Sequence, residues 1–366
     1  MSHQHKFVTL DALRGIAALF ILTRHTSSYW GGVSFPHSYL AVDLFFMLSG
    51  FVISHAYDRK LTSKTMTLGS FFITRLIRLY PLYLLALFIS ALVYFPRKAF
   101  IHGDINLIIE YGTSLFFSLF YLPYKVASSN LLFTLNPVSW SLFFELFINI
   151  IYAVSRPFLS NRILVLVLVT SGLYLLAQCF SVGSLDYGYI WDWQSISIGS
   201  ARTIYGFVCG LLLHRLFLKQ PTNSTSTIRS FLLLLLASIL LGIQNLDSFN
   251  ELVDGLSLII VFPICVFLGA KTTPKNRVAD IFKSLGIISY PIYLLHSSLG
   301  AGISKASILI GFKISSFAPY SGLLLVLGLF CISLILDRFY DTPLRRYLST
   351  IVFNKPRTPN RTVDLN

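Results

Sequence analysis

Four ionisable side chains, Asp11, Arg14, Arg24 and His25, stand in a stretch from Phe7 to Trp30 that is otherwise apolar and long enough to cross a bilayer. Each costs roughly 2.5–3.5 kcal/mol at the centre of the hydrocarbon even on a lenient insertion scale, so neighbouring helices must compensate them. On an α-helix, Arg14 and His25 differ by only about 20° in azimuth and lie ~16 Å apart along the axis. One helix face therefore carries a permanent cation near one end and a titratable base near the other, the outline of a site stretched along the membrane normal.

Other residues extend that site. Asp43, in Ala41-Val42-Asp43-Leu44-Phe45-Phe46, falls about two turns below the outer end of a second apolar run, and His25 about one turn below the outer end of the first. The two are expected to meet, with the carboxylate fixing the imidazole tautomer and strengthening its free nitrogen as a base. A structural His–Asp pair that merely neutralises two buried groups is the alternative. Ser141 and Glu145 are four apart and share a helical face. Glu145 is expected at a depth comparable to His25 and Asp43; its other reading is a bundle-stabilising pair with Arg24 or Arg202. Arg75 and Arg78, three apart, aim two guanidinium groups at one region in a way that suits phosphate oxygens. With Arg14 they suggest a binding site for an anionic cytosolic cofactor, and the absence of a Gly-rich phosphate motif argues against an ATP-type loop.

The elements that must position these residues are transmembrane helices. Of the 366 residues 55% are hydrophobic and 12% charged, with a mean hydropathy of +0.71. This is the composition of an all-α, multispanning membrane bundle rather than a soluble domain. The net charge of +14 fits basic residues gathered in cytosolic loops, with membrane lipids as surroundings and no nucleic-acid partner. Four cysteines scattered singly through apolar runs indicate neither a disulfide framework nor a metal site.

Apolar runs predict spans near 8–29, 37–57, 79–95, 138–155, 163–181, 200–217, 230–246, 252–270, 285–303 and 320–337, with 105–123 ambiguous between crossing, re-entrant and interfacial. If that run does not cross and the N-terminus is cytosolic, the only Lys and Arg outside are Arg97, Lys98, Lys125, Lys305 and Lys313, with Arg14, Arg24 and Arg202 within helices, of 29 in all. If it does cross, the balance inverts. The positive-inside rule therefore selects ten spans with both termini in the cytosol. The stretch 182–199 holds Asp186, Tyr187, Tyr189, Trp191, Asp192 and Trp193 without a cation, as expected of an outward aromatic belt or a sugar-stacking surface. No cleavable signal peptide is evident, and residues 349–366 read as a cytosolic, disordered tail.

Taken together, Leu10-Asp11-Ala12-Leu13-Arg14-Gly15, the Arg14–His25 spacing, Val42-Asp43-Leu44-Phe45-Phe46 followed by Leu48-Ser49-Gly50-Phe51, Arg75-x-x-Arg78, Ser139-Trp140-Ser141-Leu142 with Glu145, and Ser289-Tyr290-Pro291-Ile292-Tyr293-Leu294-Leu295-His296 resemble the acyltransferase-3 family of membrane acyltransferases. The resemblance covers roughly residues 5–348. It implies a ten-helix domain in the bacterial inner membrane that moves an acyl group, usually acetyl, from cytosolic acyl-CoA to a hydroxyl of an extracytoplasmic carbohydrate, with no metal. It further implies His25 as the essential catalytic residue and Arg14, Arg75 and Arg78 on the acyl-CoA side. Trp140, Ser141, Tyr293 and His296, which lie in the matching motifs, are taken as the acceptor-binding residues. Two departures are visible: the extracytoplasmic esterase-like domain of many relatives is not expected here, and Asp341-Thr342-Pro343 stands where Glu-x-Pro is more familiar.

The residues then support a mechanism in which the arginines hold the donor, Asp43 orients His25 as general base, and Glu145 positions the acceptor or relays its proton. Transfer is either direct or through an acylated His25. The alternative function is a proton-coupled secondary transporter built on the same His, Asp, Glu and Arg cluster. That reading would favour inverted repeats, and none is visible. Acceptor identity, acyl length and oligomeric state stay open at this stage.

Overall fold

The computed structural model describes residues 7–96, 103–220, 224–246 and 249–353. Eleven helices make up nearly all of it: α1 Val8–His25, α2 Ala41–Thr62, α3 Leu68–Tyr94, α4 Ile105–Leu119, α5 Ser139–Ser155, α6 Asn161–Val182, α7 Trp193–Lys219, α8 Thr227–Gly242, α9 Asn250–Ala270, α10 Asn276–Leu309 and α11 Tyr320–Phe353. The latter part of α9 and of α11 is entered through a π-helical turn, Ser257–Val261 and Asp337–Asp341. Among the described residues the only sheet is a two-residue parallel pairing of Ser224–Thr225 with Thr272–Thr273. Helix α11 runs through Phe353, and the rest of the expected tail, residues 354–366, lies outside the described residues.

Among the described residues, eight helices are long and apolar enough to cross a membrane. Two further expected spans are α1, which carries Asp11, Arg14 and Arg24 within 18 residues, and α8, which has only 16 residues. Helix α6 shows the outward face of such a bundle, with Leu166 and Leu173 more than 60% exposed on a surface suited to lipid.

The ambiguous run resolves as α4. Its 15 residues make a helix of ~22 Å, one residue shorter than α8, so the directions of its neighbours decide whether it crosses. Its C-terminal carbonyls at Ser118 and Leu119 accept hydrogen bonds from Tyr83 (2.6 Å) and Tyr80 (2.8 Å) of α3. The other helices supply those directions. In α1 and α10, Asp11 meets Gly286, Gly15 meets Leu285 and His25 meets His296, so these helices run parallel. In α2 and α7, Asp43 meets Arg202, Met47 meets Gly210 and Ser54 meets His214, again parallel. Parallel neighbours must be separated by an odd number of crossings. With α4 left out, α2, α3, α5, α6, α7, α8 and α9 intervene between α1 and α10; counting α4 as a span would make the pair antiparallel.

Close approach needs small residues, because helices in lipid associate by packing rather than by expelling water. A Cβ on Gly210 would lie 2.1 Å from the Met47 carbonyl oxygen, and one on Gly50 2.1 Å from that of Phe207. Both obstacles are backbone and cannot swing away. Gly210→Ala should therefore lower the stability of the purified protein by about 1–3 kcal/mol or more, read as a fall in melting temperature. Gly112→Ala in α4, where nothing lies within 4 Å, should leave it unchanged or raise it. Equal responses from the two variants would contradict this packing.

Candidate active site

Two cavities lie end to end along α1. The inner one, about 170 Å³, is lined by Arg14, by Arg75 and Arg78 of α3, by Ser49 of α2, by Glu145 of α5 and by Tyr290 of α10. Thr67 caps α3 by accepting from the Ser70 amide at 3.1 Å, and the two arginines follow on one face two to three turns later. Their convergence with Arg14 is the one read from the sequence. Glu145 belongs here too: its Oε1 accepts from Arg75 Nη2 at 3.0 Å and from Ser49 Oγ at 2.8 Å. The expected depth match with His25 does not hold, because α5 continues past the level of the histidine before reaching Glu145. This carboxylate holds a guanidinium of the inner cluster.

The outer cavity, about 620 Å³, is lined by His25, Arg24, Tyr39, Trp140, Asp186, Tyr189 and Arg202. Its wall from 183 to 192 is held by Ser195, whose Oγ accepts from the amides of Gly188 (2.9 Å) and Ile190 (3.1 Å), while Asp192 caps α7 through the Ser195 amide at 2.7 Å. Gly188, at φ +121°, sits against the Trp140 ring where a Cβ would come within 2.4 Å. Trp140 is thereby fixed as a wall, and Asp186 and Tyr189 turn inward. Arg24 pairs with Asp186 and donates to the Pro36 carbonyl at 2.6 Å. The ring of Tyr39 carries both Arg24 and Arg202, each guanidinium carbon 5.5 Å from its centroid.

The expected His25–Asp43 pair is not formed. Asp43 is fully buried and occupied on both oxygens by Arg202, with Nε to Oδ1 at 2.9 Å and Nη2 to Oδ2 at 2.6 Å. A bidentate guanidinium satisfies a buried carboxylate more completely than one imidazole N–H could. His296 takes the place expected of Asp43. Its Nδ1 lies 3.0 Å from the Ile292 carbonyl and its Nε2 3.0 Å from His25 Nδ1, which is itself 3.0 Å from the Ile21 carbonyl. Carbonyl oxygens only accept, so the proton is assigned to each Nδ1, and the single His25 Nδ1–H is shared between the Ile21 carbonyl and His296 Nε2. His25 Nε2 keeps its lone pair.

Between the cavities stands Tyr293, which together with Val42 lines both. Its hydroxyl hydrogen-bonds Ser141 Oγ at 2.5 Å and donates to the Val138 carbonyl at 3.3 Å. Its ring meets Phe45 edge-on at 5.5 Å. Of the four residues expected at the acceptor, Trp140 lines the outer cavity, Tyr293 both cavities and Ser141 the inner one, whereas His296 lines neither and reaches the site through His25. Arg24–Asp186 and the network in which Asp254 binds His37 (2.9 Å) and Tyr39 had no signal in local spacing, since the partners are more than 150 residues apart.

A cationic cavity at one end, a shared wall at Tyr293 and an imidazole beyond it are parts suited to group transfer across a membrane. A family model described as an acyltransferase domain matches residues 7–337. The chain belongs to the acyltransferase-3 family. It is 41% identical over 186 residues to protein 2 in the picA locus of Rhizobium radiobacter, a match covering 48% of this chain and 95% of that protein. It is 27% identical over 274 residues to the exopolysaccharide production protein ExoZ of Rhizobium meliloti, covering 74% and 79% respectively. No solved structure matches it. Membership of this family favours the enzyme over the transporter.

The Asp43–Arg202 pair has side chains no more than 1% exposed, so losing one partner strands a charge. Asp43→Ala is expected to destabilise the protein by about 3–5 kcal/mol, measured by thermal or denaturant unfolding in detergent. Asp43→Leu combined with Arg202→Met should recover most of that stability. A double variant no better than the single one would refute the compensation.

Proposed function

We propose that the protein transfers an acyl group, acetyl in the simplest case, from cytosolic acyl-CoA to a hydroxyl of a carbohydrate on the far side of the cell membrane. The observation that carries this reading is the shared lining of the two cavities: Val42 and Tyr293 belong to both, with Arg14, Arg75 and Arg78 on one side and His25 on the other. ExoZ, a relative named for exopolysaccharide production, supports a polysaccharide acceptor.

In this reading Arg14 and Arg78 meet the phosphates of the donor, and Arg75 joins them from its seat on Glu145. The acyl end points toward Tyr293. The acceptor enters the outer cavity, where Trp140 and Tyr189 offer aromatic faces for a sugar ring and Arg24 and Asp186 offer a donor and an acceptor. His25 Nε2 removes the hydroxyl proton, the oxygen bonds to the thioester carbonyl carbon, the C–S bond breaks, and the departing thiolate takes the proton back from the imidazolium. His296 is a positioning residue: it fixes the His25 tautomer and accepts a hydrogen bond that strengthens when His25 is charged. Glu145 acts on the donor side through Arg75, not on the acceptor.

The test is transfer of label from acetyl-CoA into surface polysaccharide by membranes containing the protein. His25→Ala should abolish transfer while the protein stays inserted and folded; retained transfer would remove His25 from the chemistry. His296→Ala should lower turnover roughly 10²-fold or more with donor affinity unchanged, and His296→Gln, which keeps an acceptor, should restore part of it. Arg78→Ala should weaken acyl-CoA binding by about 10- to 100-fold, the worth of a charge-assisted hydrogen bond to phosphate, and the loss should shrink at high salt. Unchanged affinity would return Arg78 to the role of a topology anchor.

A further inference from the structure

A third cavity, about 480 Å³, opens on the outside of the bundle between α8 and α9, away from both halves of the active site. Its walls are Leu232 and Leu236 of α8 and Ile264 and Leu268 of α9, which are 57%, 37%, 42% and 44% exposed. The buried Leu233 forms its floor. One end is polar and cationic, formed by Arg229 at the start of α8 and Lys271 just past the end of α9, with Ser224 and Thr272 between them. No carboxylate lines it.

Its depth in the membrane can be read from its neighbours. Thr9, at the start of α1, donates from Oγ1 to the Thr272 carbonyl at 2.6 Å and lies 3.0 Å from Ser230 Oγ. The cationic end of the groove is thus level with the N-terminal end of α1, on the side of the membrane where Arg14 lies and where positive charge accumulates. From Arg229 to Leu236 the helix climbs ~10 Å, from the headgroup zone into hydrocarbon. The polar partners shown by the two cations among the described residues are neutral: Arg229 Nη1 donates to Ser224 Oγ at 3.4 Å, and Lys271 Nζ to Gln220 Oε1 at 3.2 Å. These are long or weak contacts that an anion would outcompete.

We propose that this groove binds one anionic phospholipid of the cytosolic leaflet, its phosphate between Arg229 and Lys271 and one acyl chain along Leu232, Leu236, Ile264 and Leu268. An apolar trough at chain depth with two cations at phosphate depth is complementary to that molecule and to no soluble anion, for which the hydrophobic walls would be superfluous. Zwitterionic lipid fits the trough but gains less from the cations.

The experiment is titration of purified protein, in a neutral detergent, with phosphatidylglycerol, phosphatidylcholine or inorganic phosphate, reading bound lipid by native mass spectrometry and melting temperature in parallel. Wild type should bind one phosphatidylglycerol in preference to phosphatidylcholine. Each basic side chain near a membrane surface is worth about a fivefold preference, so Arg229→Gln with Lys271→Gln should bind it roughly 25-fold more weakly. Leu236→Trp, which fills the trough and leaves both cations, should also lose it. The proposal fails if the double variant titrates like wild type, if phosphate alone gives the same shift, if phosphatidylcholine binds equally, or if the substitutions change only the fraction of dimer. None of these readings depends on acyl transfer.

Discussion

A charge inside a bilayer must be answered by another group of the protein, and that requirement organises this bundle. Asp43 is answered by Arg202, Arg24 by Asp186, Arg75 by Glu145, Asp58 by Arg156, and Asp254 by His37 and Tyr39. Each pair joins segments far apart in the chain, so the pairs fix which helices are neighbours and at what height. Glycines then let the backbones close on those pairings, as Gly206 and Gly210 do one and two turns below Arg202, where α7 lies against α2. Electrostatic compensation chooses the partners, and packing holds them.

The same rule explains why the active-site groups stand out. Once the pairs are drawn, Arg14 and Arg78 face the inner cavity, and His25 faces the outer one with its Nε2 unengaged by His296. Among the described residues Arg14 shows a loose contact at 3.8 Å with Asp11, one turn away. Exposed cations at one end and an unprotonated imidazole nitrogen at the other are costly in a membrane protein unless a ligand uses them. Tyr293, hydrogen-bonded to Ser141, forms part of the wall of both cavities.

What could be read in advance was whatever depends on one helix at a time. The Arg14–His25 face, the Arg75–Arg78 pair and the non-crossing run at 105–123 follow from 3.6-residue geometry, span length and the distribution of Lys and Arg, and the structure keeps all three. The pairings between helices were another matter. Counting turns puts both His25 and Asp43 near the outer surface, but depth does not specify azimuth. Arg202, four crossings later, had the better geometry for a buried carboxylate. The same holds for Glu145: the start of α5 is within one residue of the expected boundary, but its neighbours Arg75 and Ser49, which hold it in the inner cavity, depend on how three helices meet. His296 stood in a recognised motif, but its contact with His25 depends on α1 and α10 running parallel with Gly15 and Gly286 between them, which no local pattern reveals.

The account stands on acyl transfer between compartments through one protein. Reconstituting the enzyme into sealed vesicles in a defined orientation, with acetyl-CoA confined to the side of Arg14, Arg75 and Arg78 and a glycan acceptor confined to the side of His25, tests this most directly. Acylated glycan should form with the two substrates on opposite faces, and should disappear when both are supplied only to the His25 face. Product that forms only when donor and acceptor share a compartment would contradict the through-membrane site.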